Sequence, residues 1–270
     1  MMDAAIVLIE GTNCEDESML AFEKVGVDAE KVHLKQFTGD CAKDRGRRIS
    51  DYDILFFPGG WSAGDYVRAG AIFAARLKSK LGGEISEFVS EGRLVCGVCN
   101  GFQILTELGL LPGFNGLSEV PEGVLTINAS SRFQCRPVYL KHESSCDFTG
   151  KIKKQQVLQI PVAHAEGRLS FGMKNKEDLK RLEDNDQIVF RYCMPDGKDA
   201  EGKFPWNPNG SIADIAGISN PEGNVLGMMP HPERVMEKIQ QADWTRSSPK
   251  GPGDGRIFFE SIAEYLKKKK

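Results

Sequence analysis

The stretch "RLVCGVCNGFQIL", residues 93–105, carries the strongest fold signal in the sequence. Its first part is a short apolar run that predicts a buried strand, and its last part has the apolar spacing of a helix. Between them, "GVCNG" places glycines on both sides of Cys99 and permits a tight turn. The pattern predicts a strand–turn–helix elbow of an α/β protein with Cys99 at its tip. The partial positive charge at a helix N-terminus favours a thiolate there, so Cys99 is the predicted nucleophile.

The elbow contains a second cysteine, Cys96, three residues before Cys99. Its place inside the apolar strand favours a small buried core residue. A zinc or redox pair would need a second C-x-x-C motif or a thioredoxin-like position, and the sequence offers no second C-x-x-C. We therefore predict that Cys96 is structural. The other cysteines stand alone and are also predicted to be structural: Cys14, Cys41, Cys135, Cys146 and Cys193.

Around the elbow, apolar runs of strand length alternate with segments of helical period. This alternation predicts an α/β fold with a mostly parallel central sheet flanked by helices. No linker or repeat interrupts the chain, so one domain over residues 1–270 is expected. The predicted strands of the first half are residues 4–10, 30–37, 53–60 and 93–98, and the predicted helices are residues 16–26, 70–81, 83–92 and 102–111. Beyond residue 114 we expect more strands, fewer clear helices and a final helix over residues 255–267.

Composition and charge limit the classes of partner. With 35 Lys and Arg residues against 38 Asp and Glu, the formal charge of −3 gives no global reason to expect nucleic acid or an anionic membrane as partner. The lysine run at residues 267–270 is predicted to be a solvated helix end that complements the helix dipole. Seven scattered cysteines, no apolar secretory stretch and no run of bilayer length predict a reduced, cytoplasmic protein.

Acyl transfer by a thiol needs a base and a group that orients the base, and the sequence has four histidines. His33 and His142 lie in strand-like runs with polar neighbours, where a surface or hydrogen-bonded histidine is expected. His164 and His231 are each followed two residues later by a glutamate. We prefer His231 as base and Glu233 as its partner, because they follow the apolar run "NVLGMM" at an expected strand end. A histidine that only caps a turn is the alternative.

A tetrahedral intermediate also needs hydrogen-bond donors for its oxyanion. One expected donor is the backbone N–H after the nucleophile, at Asn100, and the second should come from a neighbouring strand-to-helix loop. The segment "FFPGGWSAGD", residues 56–65, supplies such a loop directly after a predicted buried strand. Gly59 and Gly60 are simple turn residues on one interpretation, and on the other they let an amide point at a bound carbonyl.

Four segments together resemble the class I glutamine amidotransferases, and within them the glutaminase subunits of phosphoribosylformylglycinamidine synthases: "GVCNGFQ", "FPGGWSAGDYVRAGAI", "AHAEGR" and "MMPHPERV". The resemblance covers essentially the whole chain and implies a flavodoxin-like fold. It implies a catalytic triad of Cys99, His231 and Glu233. It further implies an oxyanion hole from Gly60 and Asn100, substrate binding by Gln103, and a place for His164 in a family-specific segment outside the triad. Trp61 departs from the family pattern, in which phenylalanine is more usual.

By the same resemblance, the small-molecule substrate is glutamine, which the Cys99 thiolate converts to a glutamyl thioester with release of ammonia. The ammonia is expected to pass to a separate ATP-dependent synthetase subunit that converts formylglycinamide ribonucleotide to formylglycinamidine ribonucleotide, with a small third subunit bridging the two. No P-loop or kinase-type glycine loop occurs in the sequence. We expect no cofactor or metal on this chain, and ATP and magnesium on the synthetase subunit.

Three other functions remain open at the level of sequence. A stand-alone cysteine hydrolase of the same fold, such as a γ-glutamyl hydrolase, would share the elbow and the histidine but work at full rate without a partner. A non-catalytic binding module is disfavoured because the nucleophile, base and orienting residue are all present. A redox or metal protein would need both Cys96 and Cys99 to be accessible.

Overall fold

A computed structural model describes residues 3–246 and 249–269. The described chain contains a nine-stranded sheet and a separate two-stranded sheet. The strands are β1 (Ala4–Leu8), β2 (Ala29–His33), β3 (Ile54–Phe57), β4 (Leu94–Val98), β5 (Val124–Thr126), β6 (Gln134–His142), β7 (Val157–His164), β8 (Arg168–Ser170), β9 (Ile188–Cys193), β10 (Ile215–Ser219) and β11 (Val225–Met228). The helices are α1 (Glu15–Lys24), α2 (Leu34–Thr38), α3 (Ala71–Ser90), α4 (Asn100–Leu108), α5 (Asn175–Asp184) and α6 (Arg256–Lys269).

The large sheet has the order β2-β1-β3-β4-β11-β10-β9-β6-β7. Its first five strands are mutually parallel, and only β10 and β6 run against the others. The predicted α/β class, with a mostly parallel sheet flanked by helices, is confirmed. Because carboxyl ends of parallel strands meet at one edge, the loops after β1, β3, β4 and β11 converge there. Every residue of the predicted triad and oxyanion hole follows closely after β3, β4 or β11, with Asn100 as the first residue of α4.

Two predicted elements differ from the structure in type or in number, beyond small shifts of their ends. The strand expected over residues 30–37 ends at His33, whose side chain accepts a hydrogen bond from the Lys35 N–H at 3.1 Å and so caps the short helix α2. The two helices expected over residues 70–92 form one 20-residue helix, α3, that continues through Gly82 and Gly83. Glycine weakens a helix interior by about 1 kcal/mol. The apolar face of α3 continues on both sides of that pair, and this burial keeps the helix whole: Phe73, Ala74, Leu77, Leu81, Ile85 and Phe88.

The end of the chain packs against its beginning. Phe22 of α1 makes edge-on ring contacts with Phe56 of β3 at 5.3 Å and with Phe259 of α6 at 5.1 Å between centroids. Aromatic pairs in this geometry contribute about 0.5–1.5 kcal/mol beyond their buried area. This cluster holds α1, and with it the loop after β1, firmly against the sheet edge. The lysine run forms the last turn of α6, except for Lys270, which lies outside the described residues.

None of the helices in the described ranges combines the length and apolar character needed to cross a bilayer.

Candidate active site

Cys99 stands between β4 and α4 with φ 53° and ψ −107°, a conformation that L-residues rarely adopt. The glycines around it leave room for two very close backbone approaches. A Cβ atom on Gly101 would lie 1.9 Å from the carbonyl oxygen of Phe57, and one on Gly97 would lie 2.4 Å from that of Gly101. Both glycines are therefore sterically required. The structure has the predicted elbow, and its strain, of about 1–3 kcal/mol, is the kind that surrounding structure must maintain at a functional residue.

The two cysteines of the elbow have different environments. The thiol of Cys99 is nearly buried and points to the carbonyl oxygen of Ala163 at the end of β7, 3.6 Å away. Cys96 lies inside the core with no exposed surface, and burial raises the pKa of its thiol well above the usual range. With its thiol enclosed in the core, Cys96 offers no surface to a metal ion or a substrate. Cys96 is therefore not available to form a zinc or redox pair with Cys99.

His231 and Glu233 form a buried imidazole–carboxylate pair after β11. Nδ1 of His231 lies 2.6 Å from Oε1 of Glu233, and the backbone N–H of His231 donates to the carbonyl oxygen of Pro161 at 2.8 Å. Burial opposes a charge on the imidazole, but the negative charges of Glu233 and Cys99 outweigh it and raise the pKa of His231 well above its usual range. The carboxylate fixes the Nδ1–H tautomer and leaves Nε2 for proton exchange.

Gly59 is the point at which the site's side chains meet. A Cβ atom there would lie 2.7 Å from Cε1 of His231, 3.0 Å from Sγ of Cys14 and 3.5 Å from Cβ of Cys99. Any larger residue would push the imidazole away from the thiols. The structure thus brings the predicted nucleophile and the predicted base together over one glycine.

The Gly59–Gly60 peptide is held in one orientation by the loop after β1. The carbonyl oxygen of Gly59 accepts hydrogen bonds from the N–H groups of Asn13 at 3.3 Å and Cys14 at 3.2 Å. The C=O and N–H of a trans peptide point in opposite directions, so the Gly60 N–H is directed away from that loop. Among the described residues this N–H has no acceptor, and neither has the N–H of Asn100 in the first turn of α4. These are the two amides predicted to form the oxyanion hole.

The side chains of Asn100 and Gln103 tie this region together. Oδ1 of Asn100 accepts from the N–H of Ser62 at 3.1 Å, and its Nδ2 donates to Oε1 of Gln103 at 2.9 Å. Nε2 of Gln103 donates in turn to the carbonyl oxygen of Glu166. Both side chains are buried. The amide of Gln103 is therefore engaged by protein atoms at both ends, and its contact with substrate stays a prediction.

His164 is not part of the imidazole–carboxylate pair. It is buried, and its Nδ1 lies 3.1 Å from Oδ1 of Asn128. Asn128 Nδ2 donates to the carbonyl oxygens of Arg132 and His164, so its Oδ1 must be an acceptor and His164 Nδ1 must carry the proton. Burial, and secondly the charge of His231, lower the pKa of His164 to about 3. The ring is a neutral structural support beside the site.

Three residues of the site were not found by sequence reasoning. Cys14, predicted to be only structural, is buried with its thiol beside His231, and it accepts a hydrogen bond from Arg234 Nη2 at 3.1 Å. Asp65 and Glu166 place two carboxylates near each other, and burial followed by the charge of Glu166 raises the pKa of Asp65 to about 6. Cys14 was predictable in one respect, because it follows β1 at the shared carboxyl edge.

Fold and site together define a glutamine amidotransferase. The model of the CobB/CobQ-like glutamine amidotransferase domain matches residues 1–266. The resemblance inferred from the four sequence segments is thereby confirmed at the level of class.

The chain belongs to the family of PurQ subunits of phosphoribosylformylglycinamidine synthase. It is 51% identical over 270 residues to that subunit of Archaeoglobus fulgidus, with 98% of this chain and 97% of the relative covered. The identity to the Picrophilus torridus subunit is 47% over 259 residues, covering 96% of each chain. Among solved structures, a chain in "Structure of PurLQS from Thermotoga maritima" is similar with a TM-score of 0.72 and 33% identity, covering 98% of this chain and all of that one.

Proposed function

We propose that this chain is the glutaminase subunit of a phosphoribosylformylglycinamidine synthase and that it hydrolyses glutamine through a thioester on Cys99. One observation carries the proposal: the side chain of Cys99 and the His231–Glu233 pair come together at Gly59. The chain that shows this arrangement belongs to the PurQ family. The two amides without acceptors supply the remaining requirement of acyl transfer.

In the proposed reaction, the Cys99 thiolate attacks the side-chain amide carbon of glutamine. His231, held by Glu233, gives a proton to the departing nitrogen, and ammonia leaves as the C–N bond breaks. His231 then takes a proton from a water molecule, which attacks the thioester carbon and releases glutamate and the thiolate. Each step passes through an oxyanion, for which the N–H groups of Gly60 and Asn100 are the proposed hydrogen-bond donors.

Ammonia is proposed to pass from this chain to a synthetase subunit that uses ATP and magnesium to convert formylglycinamide ribonucleotide to formylglycinamidine ribonucleotide. The support is the similarity to the chain in a structure titled PurLQS, whose name joins three subunits. We further propose that the 270 residues act as one amidotransferase domain, that the chain itself needs no cofactor, and that it works in the cytoplasm.

The test is steady-state glutamine hydrolysis by the isolated chain, compared with the complex reconstituted from synthetase and bridging subunits, acceptor and ATP. We expect a low rate alone and a marked rise in the complex, because ammonia made without an acceptor wastes glutamine. Equal rates in both preparations would favour the stand-alone hydrolase, for which a γ-glutamyl peptide would then be the substrate to assay.

A further inference from the structure

Cys14 belongs to a compact group of ligating atoms within the candidate site. One such atom from each of Cys14, His231 and Glu233 lies within 4.8 Å of the other two, and all three residues are buried. In the described chain, Nε2 of His231 and Oε2 of Glu233 have no hydrogen-bond partner. Buried polar atoms in folded proteins nearly always have one, so two unpaired atoms beside a thiol indicate a position for a ligand.

We propose that this group binds a soft divalent cation such as Zn²⁺, and that the bound cation reversibly blocks glutamine hydrolysis. The ligands are Sγ of Cys14 and Nε2 of His231, with Sγ of Cys99 as the third. Thiolate and imidazole are the donors that zinc prefers, and a set of three leaves a fourth position for water.

Glu233 has the position of an orienting partner for such a ligand. A histidine that binds a metal usually donates its other ring N–H to a carboxylate, which fixes the tautomer and makes the free nitrogen more basic. The 2.6 Å contact from His231 Nδ1 to Glu233 Oε1 already provides this arrangement. With Nδ1 committed to Glu233, Nε2 is the ring nitrogen that can bind the metal ion, which displaces the Nε2 proton.

Cys99 is included because its side chain meets the others at Gly59. The Cβ position of that glycine would be 3.0 Å from Sγ of Cys14 and 3.5 Å from Cβ of Cys99. The imidazole of His231 also interacts with both thiols, so the three side chains border one small volume. A cation held there would occupy the nucleophile directly, which is why binding and hydrolysis exclude each other.

The positive charge of Arg234 opposes cation binding at this group. Its Nη2 donates to Sγ of Cys14 at 3.1 Å and so places a positive charge beside the proposed cation, and Sγ itself donates to Oδ1 of Asn13 at 3.3 Å. The cation replaces these two hydrogen bonds, and the proton of the Cys14 thiol and the Nε2 proton of the imidazolium pass to solvent.

Binding is tested on the full chain with Co²⁺ as a spectroscopic substitute and Zn²⁺ as competitor, by following thiolate-to-cobalt charge-transfer absorption. We expect one cation per chain, and an affinity at least about tenfold lower in Cys14→Ala and in Glu233→Gln. Cys14→Ser provides a near-isosteric second variant if the alanine variant misfolds. Cys41→Ala is the matched control, because the Cys41 thiol donates to the carbonyl oxygen of Ala42 and is not part of the ligating group, and this variant should bind the cation as the wild type does.

Inhibition is tested by titrating buffered Zn²⁺ into the glutaminase assay, with each variant referred to its own uninhibited rate and a chelator added to show reversal. This part rests on the proposed function, whereas the absorption measurement does not. Charge-transfer absorption that persists unchanged in Cys14→Ala, or that is lost only when the exposed Cys135 is replaced, would overturn the inference. Cation binding without glutamine hydrolysis would instead count against the proposed function alone.

Discussion

Nδ1 of His231 lies 2.6 Å from Oε1 of Glu233, with both side chains buried. The pair makes the imidazole a strong base with one fixed tautomer. His231→Ala should therefore abolish rapid thioester formation. Glu233→Gln keeps a hydrogen-bond acceptor but loses the charge, so its loss should be roughly 10- to 100-fold smaller. Single-turnover measurement of the glutamyl thioester separates the two variants. A Glu233→Gln variant as inactive as His231→Ala would contradict this division of roles.

Cys99→Ala should remove glutamine-dependent synthesis while the reconstituted complex still accepts free ammonia, because only the first step uses the thiol. Cys96→Ser is the matched control from the same elbow. It should keep catalysis and lose about 1–3 kcal/mol of unfolding free energy, since it places a hydroxyl in the core. Assays with each nitrogen donor and a denaturant titration check both variants. Equal loss with glutamine and ammonia would show that Cys99 is structural.

Gly59→Ala should reduce glutaminase activity strongly, because its Cβ would lie 2.7 Å from the His231 ring. The matched control is Gly83→Ala in α3, where a Cβ meets nothing within 4 Å and helix stability should rise by up to about 1 kcal/mol. Rates and melting curves of the two variants are to be compared. An active Gly59→Ala protein would mean that the imidazole is not held against this glycine.

The Gly60 amide gives a related prediction. A peptide between two glycines has the conformational freedom to rotate, and such a rotation could switch the oxyanion hole on when a partner binds. In the structure the neighbouring carbonyl is held by two N–H groups, and a Cβ on Gly60 would lie 2.7–2.9 Å from atoms of Gly11, Thr12 and Asn13. Gly60→Ala should therefore displace the donor and lower turnover about 100- to 1000-fold in both the free chain and the complex. A loss of turnover confined to the complex would instead indicate that this peptide rotates when the partner binds.

Stability should fall in mild acid because of His164. Its folded-state pKa is about 3 and its ordinary value is 6.5, so between these pH values the unfolded chain binds a proton that the folded chain does not. Each pH unit of acidification in that window should therefore cost up to about 1.4 kcal/mol. His164→Asn keeps a hydrogen-bonding group toward Asn128 and should show a shallower pH dependence of the unfolding free energy. An unchanged slope would show that His164 is protonated in the folded state.

The sequence determined the parts of this protein that depend on neighbouring residues. The elbow around Cys99 follows from two glycines and the change from a strand to a helix pattern within a few positions. His231 and Glu233 are two residues apart, so a single turn brings their side chains together. The α/β class follows from the alternation of apolar runs, which is also local. In each case steric and hydrogen-bonding preferences act over a few residues, and other parts of the chain need not be known.

The tertiary structure alone decided which distant residues surround the elbow and the His231–Glu233 pair. Cys14 is 45 residues from Gly59, and only the pairing of β1 with β3 brings its thiol to the imidazole. The direction of the Gly60 N–H depends on two amides of the loop after β1. The raised pKa of Asp65 depends on its burial and on the charge of Glu166, about 100 residues away. No local pattern records these contacts, because the order of strands in a sheet is fixed by how distant apolar faces pack.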